Sequence, residues 1–401
     1  MNIMQQGKKG EVIVGGHQLE LRTVVDDRRS YGDGVAWRRG AMLGKGSSGC
    51  VFMATLKKPR SKYSYYPSVM AVKSAEVSDS GSIQKEREVL DKIKGNPYVI
   101  RSFGEETTTG ENGDMVYNLL LEYGSGGTLA ERIKRSGEKG LPELEIRFHT
   151  RSLLRGLNHI HMIGYVHCDL KPDNILLLPS STVGSGVQFR AKIGDFGLAK
   201  RAKQSKKRRL EPYWRGTPIY LSPEVVKDGV QEEPSDIWAL GCIVLHMLTG
   251  EPPWAEDRQL EAKVVLTKIK EGKTPKIPKE IPKVAMDFLK GCFVKNDMYR
   301  LTAEMLLNHP FVEGLADDDG DWQFGEVVED LNAIHSASWV SDDEDSIYSW
   351  SDEDDGSYEG EVTWESEENL DETSLELSSE VPSHASTKTY LVDYTIRAGV
   401  V

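Results

Sequence analysis

The run Val166-His167-Cys168-Asp169-Leu170-Lys171-Pro172-Asp173-Asn174-Ile175-Leu176, with Ile193-Gly194-Asp195-Phe196-Gly197 behind it, constrains this chain more than any other feature. Asp195 stands 26 residues after Asp169. A carboxylate at Asp169 can accept the proton of a hydroxyl. The amide of Asn174, five residues on, can hold a metal ion, and Lys171 can reach a phosphate. Asp195 offers the carboxylate oxygen that a hard cation such as Mg2+ takes as ligand. Either motif alone could be a turn with a stray Asp; the two in this order could not.

Phosphoryl transfer asks mainly for positioning and charge neutralisation, and the upstream sequence supplies both. Gly44-Lys45-Gly46-Ser47-Ser48-Gly49-Cys50-Val51 has G-x-G-x-x-G-x-V spacing. Its glycines let backbone N–H groups approach phosphates without side-chain clash. The same spacing occurs in dinucleotide folds and in plain turns. Here a strand pattern, Cys50-Val51-Phe52-Met53-Ala54, follows the loop in place of a helix, which argues against a dinucleotide site. Met70-Ala71-Val72-Lys73 ends a further apolar run with a lysine. At this distance from the glycine loop, Lys73 reads as the contact to the α- and β-phosphates. It needs a carboxylate on the next helix, and Glu86 and Glu88 both qualify.

Trp37 to Val72 reads as strands and turns, with a polar, Tyr-rich hairpin insertion from Lys57 to Pro67. Ser82 to Lys94 has helical spacing, with Ile83, Val89, Leu90 and Ile93 on one face, and Tyr117 to Glu122 is another strand. After Gly124-Ser125-Gly126-Gly127 the character turns helical: Glu143 to Met162, Ile237 to Leu248, Val264 to Ile269, Val284 to Phe293 and Ala303 to Leu307. The expected fold is α+β and bilobal, a small β-rich N-lobe (37–121) and a larger helical C-lobe (125–312) joined by a glycine hinge. Residues 1–36 mix charge and glycine with little periodicity and read as a flexible segment.

The net charge of −13 is unevenly spread. Between Asp317 and Glu380 lie 24 acids and no Lys or Arg, leaving 48 basic and 38 acidic residues in 1–316. A basic body thus carries an acidic tail, 313–401, whose composition predicts disorder. Its four tryptophans, Trp322, Trp339, Trp350 and Trp364, could dock. The four cysteines form no C-x-x-C pair, which argues against a zinc site or disulfide framework and for a reducing compartment. Met1 to Gly16 holds no secretory signal, and Asn2 and the C-terminal Ala-Gly-Val-Val exclude the common lipid anchors. Ile237 to Leu248, the longest apolar stretch, is far short of the ~20 residues a membrane span needs. We expect a cytoplasmic and/or nuclear protein with no membrane insertion and no nucleic-acid partner.

From about Trp37 to Val312 the chain resembles a eukaryotic protein kinase, and Lys171-Pro172 with Gly216-Thr217-Pro218-Ile219-Tyr220 resembles the serine/threonine class. The resemblance implies ATP and Mg2+ as cofactors. It makes Asp169, Lys171 and Thr217 catalytic, and Asn174 and Asp195 the metal ligands. The nucleotide pocket would comprise Leu43, Gly44, Lys45, Gly46, Ser47, Ser48, Gly49, Val51, Ala71, Lys73, Glu86, Leu121, Glu122 and Tyr123. Leu121 is the gatekeeper, and Glu122 and Tyr123 form a hinge reaching adenine through the backbone. The family spacing selects Glu86 over Glu88 as partner of Lys73, and the resemblance implies that Glu224 pairs with Arg300 and that Asp236 braces the catalytic loop. Ala71-Val72-Lys73-Ser74-Ala75-Glu76, Asn96-Pro97-Tyr98-Val99-Ile100, Gly126-Gly127-Thr128-Leu129 and His167-Cys168-Asp169 narrow the likeness to plant MAP kinase kinase kinases of the MEKK-like subfamily. Their substrates are MAP kinase kinases.

Two residues depart from the pattern. Cys168 replaces the arginine that usually precedes the catalytic aspartate and pairs with an activation-loop phosphate, so the expectation is activity without that phosphate. Ser48 replaces an aromatic at the tip of the glycine loop, which weakens the lid but removes no ligand. The activation segment holds Lys200, Arg201, Lys203, Lys206, Lys207, Arg208 and Arg209. This is a solvated charge run, a nuclear-import patch, or an acceptor for the chain's own acidic tail. The rival from another class is a pseudokinase-type scaffold, but the residues such proteins lose are all present here.

Overall fold

A computed structural model describes residues 12–14, 17–19, 31–58, 66–110, 112–180, 189–202, 214–255 and 261–315. Most of the hairpin insertion, most of the activation segment and all of the tail beyond residue 315 lie outside these described residues. A short antiparallel ladder pairs β1 (Val12–Val14) with β2 (His17–Leu19). Five longer strands follow: β3 (Trp37–Gly46), β4 (Gly49–Leu56), β5 (Val69–Glu76), β6 (Ser102–Thr109) and β7 (Met115–Leu121). They form one antiparallel sheet in the order β3-β4-β5-β7-β6.

Alternation along β5 gives the sheet two different faces. Ala71 and Ala75 pack into the main core with Leu119, Leu121 and the helix α1 (Gly81–Lys92), and Lys73 shares their side of the strand. Met70 and Val72 point the other way, into a smaller cluster with Trp37, Ala54 and Leu120. That second face is also where residues 31–36 lie, which the sequence placed in a flexible segment. Val35 N–H donates to Glu106 at 2.7 Å and the Trp37 indole to the same carboxylate at 2.9 Å. Arg39 is buried beneath them, donating to Ser74 (2.8 Å), Asn118 (2.7 Å), the Gly32 carbonyl (2.9 Å) and the Tyr31 carbonyl (3.5 Å). A buried cation must be hydrogen-bonded to be tolerated, and here half of its partners come from the segment in front of the sheet.

The helical part contains α2 (Leu129–Ser136), α3 (Glu143–Met162), α4 (Pro223–Asp228), α5 (Glu233–Thr249), α6 (Ala262–Lys270), α7 (Lys283–Cys292) and α8 (Ala303–Leu307). α5 is apolar nearly all round and is buried along its length, as that pattern requires. Short ladders lie between α3 and α4. β8 (Tyr165–Val166) pairs with β11 (Lys200–Arg201), and β9 (Ile175–Pro179) with β10 (Phe189–Ile193). These ladders bracket the motif-bearing loops. Among the described residues no helix is long and apolar enough to cross a membrane.

Candidate active site

The glycine loop is the turn between β3 and β4. Gly46 pairs with Gly49 across Ser47-Ser48, and Gly44 and Lys45 pair with Val51 and Cys50. Gly49 sits at φ +125°, and a Cβ there would meet the Ser74 carbonyl oxygen at 2.3 Å, so only glycine closes this turn. Gly44 and Gly46 have open space where a Cβ would stand. Leu43 and the loop residues Gly44 to Ser47 are exposed, and Ser48 and Gly49 are half-buried. Behind the loop, Val51 pairs with Lys73 and Ala71 with Leu121, which brings four of the expected pocket residues onto neighbouring strands.

Lys73 is buried, and its Nζ contacts Glu86 Oε2 at 2.7 Å and Asp195 Oδ1 at 2.8 Å. Glu86 reaches it because it shares the inward stripe of α1 with Ile83 and Leu90; Glu88 is exposed. Glu86 Oε1 also accepts the Phe196 N–H at 3.1 Å, so one carboxylate fixes both the lysine and the loop that carries Asp195. Burial opposes the charge of Lys73, but the two carboxylates override it and raise its pKa. Burial likewise opposes the charge of Asp195, and Lys73 holds that carboxyl below its ordinary range.

The second group forms around Asp169. Thr217 Oγ1 donates to Asp169 Oδ1 at 2.9 Å, and Lys171 Nζ stands 3.0 Å from Asp169 Oδ2. Lys171 Nζ also donates to Thr217 Oγ1 at 3.0 Å. Asn174 Nδ2 donates to the Asp169 carbonyl (2.8 Å) and to Oδ2 (3.2 Å), so a cation would meet the amide oxygen. Gly194 N–H donates to the Asn174 carbonyl at 2.9 Å, which places Asp195 one residue from the catalytic loop. The loop is braced from below by fully buried Asp236, which accepts from His167 N–H (2.8 Å) and Cys168 N–H (3.1 Å). Cys168 (φ +70°) and Asp195 (φ +56°) both hold left-handed backbone, which is uncommon outside glycine and clusters where geometry is over-determined by its surroundings.

In the segment expected to form the hinge, the Glu122 side chain pairs with Lys192 at 2.8 Å. The Glu122 N–H donates to the Arg101 carbonyl at 2.9 Å. Tyr123, the next hinge residue, is half-buried against the main core. Arg300 pairs with Glu224 at 2.6 and 2.9 Å, as the resemblance implied. Three residues escaped the sequence reading. Arg39 looked like an ordinary strand residue. Lys192 looked like a surface charge. Gln231, in the turn entering α5, carries no motif.

The donor set fits the groups expected there. A carboxylate oxygen from Asp195 and an amide oxygen from Asn174 are hard ligands, and Mg2+ is characteristically held by one or two such oxygens together with substrate phosphates. Comparison with known proteins agrees. The family model described as protein kinase domain matches residues 37–312. Mitogen-activated protein kinase kinase kinase 20 of Arabidopsis thaliana is 40% identical over 302 residues, 75% of this chain and 85% of the relative. Mitogen-activated protein kinase kinase kinase 17 is 37% identical over 280 residues (69% and 70%), and kinase kinase kinase 18 is 35% identical over 335 residues (78% and 93%), both from the same plant. With the family matched across both lobes and the lysine, glutamate and aspartate assembled, the chain belongs to the protein kinases and is a protein serine/threonine kinase.

Proposed function

We propose that this kinase is a MAP kinase kinase kinase: it transfers the γ-phosphate of ATP to serine or threonine hydroxyls of MAP kinase kinases. The observation that carries the catalytic part is the ion-paired Lys73, with Glu86 at 2.7 Å and Asp195 at 2.8 Å, beside a hydrogen-bonded Asp169. The names of the three plant relatives support the choice of substrate. Bound ATP with Mg2+ supplies the phosphoryl group and the cation that neutralises its charge. Asp195 and Asn174 would hold the metal, Lys73 would align the α- and β-phosphates, and the glycine loop would cover them. Asp169 accepts the proton of the attacking hydroxyl, and Lys171 neutralises charge on the transferred group.

The test is phosphotransfer from radiolabelled ATP to three acceptors. A MAP kinase kinase should be labelled strongly, a generic basic protein weakly, and a tyrosine polymer not at all. Preference for the generic protein over the MAP kinase kinase would discard the cascade assignment. No labelling of any acceptor would favour the scaffold reading. Lys73→Met should abolish turnover, because the methionine leaves Glu86 buried without its cation and the phosphates without theirs.

The acidic tail would restrain this activity by lying on the basic activation segment. Each exposed ion pair contributes only ~0–1 kcal/mol. The restraint is therefore collective and salt-sensitive, since the Debye length is about 8–10 Å near physiological ionic strength. A chain ending at Gly314 should fold, phosphorylate, and exceed the full-length rate most at low salt. Equal rates at every salt concentration would remove the tail from the regulation.

A further inference from the structure

The activation segment leaves the metal-binding motif at Leu198 and returns at Trp214, and its described ends are tied down by side chains of the chain itself. At the outgoing end, Lys200 stands in β11, paired with Val166 of β8 next to the catalytic loop. Its Nζ meets Glu232 Oε2 at 3.0 Å, both side chains being largely buried. At the returning end, Arg215 is held by Gln231, a buried residue. Gln231 Oε1 accepts the Arg215 N–H at 3.3 Å, and Gln231 Nε2 donates to the Arg215 carbonyl at 2.9 Å. The same Nε2 donates to the Cys168 carbonyl at 3.1 Å. The two ends are also joined directly, because Arg215 Nη1 donates to the Leu198 carbonyl at 3.3 Å.

The consequence falls on the site. Arg215 precedes Gly216 and Thr217, and Thr217 bonds Asp169 at 2.9 Å. Gly216 lies so near the catalytic loop that a Cβ on it would meet the Cys168 carbonyl oxygen at 2.4 Å. One side-chain amide thus joins the residue before the catalytic aspartate to the residue before the glycine-threonine pair that contacts it. Adjacent in sequence, Glu232 occupies the cation of the outgoing end. Glu232 is itself fixed, because it caps α5 in a reciprocal arrangement with Ser235.

We propose that Gln231 and Glu232 are positioning residues for phosphotransfer, holding both ends of the activation segment against the catalytic loop and making an activation-loop phosphate unnecessary. In kinases with arginine at the position of Cys168, that arginine and a phosphate make the corresponding connection. Here the thiol has no charge to offer, and the neighbouring Lys200 already has a carboxylate. The amide and the carboxylate belong to the chain itself, so the arrangement is present as soon as the protein folds.

The experiment uses the full chain made in bacteria, treated with phosphatase, with ATP and a protein acceptor. Wild type should keep its rate within about twofold after the treatment. Gln231→Ala should lower kcat/KM for the protein acceptor about tenfold, the equilibrium weight of one to two hydrogen bonds. The loss should appear partly as a raised KM for the protein, with the KM for ATP unchanged, since the nucleotide side does not touch Gln231. Gln231→Glu should be at least as impaired, because it replaces a donor by an anion facing two carbonyls. Glu232→Gln, which keeps the shape and the cap, should cost about threefold and tests the second tie if the first variant fails to fold. Three results would overturn the proposal. One is a drop of tenfold or more in wild type on phosphatase treatment. Another is unchanged kinetics in both Gln231→Ala and Glu232→Gln. The last is a fall in kcat alone, with both KM values intact and melting temperature lowered, which marks a loss of folded protein.

Discussion

Asp169→Asn should lower kcat by ~10²–10⁴, the usual worth of a positioned acid or base, and leave ATP affinity nearly intact. The substitution preserves shape. Thr217 Oγ1, Lys171 Nζ and Asn174 Nδ2 all lie within 3.2 Å of the Asp169 carboxylate and hold it in place. An amide in that position keeps one acceptor oxygen but has no basicity, so the substrate hydroxyl loses its proton acceptor. The nucleotide contacts are on other elements: Lys73 on β5, Glu86 on α1 and the glycine loop between β3 and β4. Steady-state kinetics with a protein acceptor, beside direct measurement of ATP binding, separates the two effects. Phosphotransfer above about a tenth of wild type in the variant would sink the assignment of Asp169 as base. Lys73→Met gives the complementary pattern, because it removes a group that touches phosphate and should weaken both binding and turnover.

Which side chains gather here was readable because phosphoryl transfer needs particular side chains at near-fixed intervals. Lys73, Glu86, Asp169, Lys171, Asn174, Asp195 and Thr217 were all named from spacing or from the family pattern, and the fold brings them into two adjoining groups. The large helices were readable for a different reason. α3 and α5 carry long apolar stripes or runs, and burial follows from them. β6 was not anticipated, since Ser-Phe-Gly-Glu-Glu-Thr-Thr-Thr shows no apolar alternation. It is one of the two edge strands of the sheet, half in water, and its pairing with β7 is what makes it a strand.

α2 was missed because eight residues give too little periodicity, and its signal is the capping box of Thr128 and Glu131. Arg39 and Gln231 were invisible for a deeper reason. Their partners are mostly backbone carbonyls and distant polar side chains: Asn118 lies 79 residues from Arg39, and Cys168 lies 63 residues from Gln231. A backbone acceptor leaves no mark in the sequence. The left-handed backbone at Cys168 was equally silent, because neither cysteine nor its neighbours signal a positive φ.

Arg300→Met should destabilise the folded chain by about 3–5 kcal/mol, the cost of leaving a buried carboxylate without its partner. The Arg300 side chain has 0% exposure and that of Glu224 8%. The guanidinium makes a two-pronged contact with Glu224 at 2.6 and 2.9 Å, the strong form of this pairing. It also donates to the Pro234 carbonyl (2.7 Å) and the Val294 carbonyl (2.9 Å) and lies over the Trp238 ring. Methionine fills much of the volume but satisfies none of these acceptors, so the loss comes from orphaned oxygens rather than from a cavity. Glu224 belongs to α4, directly after the Gly216–Leu221 stretch, whose Thr217 contacts Asp169, so the pair connects that stretch to α5 and to the turn before α8. Urea unfolding should therefore show the lower midpoint, and activity should be lost over the same range of urea. The double variant Arg300→Met/Glu224→Gln should recover part of the stability, because the second change removes the unpaired buried charge. Recovery beyond the wild-type value would mean that the ion pair costs more in desolvation than it returns, and its role would then be to fix where α4 docks. A loss below about 1 kcal/mol in Arg300→Met would show that water reaches Glu224 and that the pair does not anchor this part of the fold.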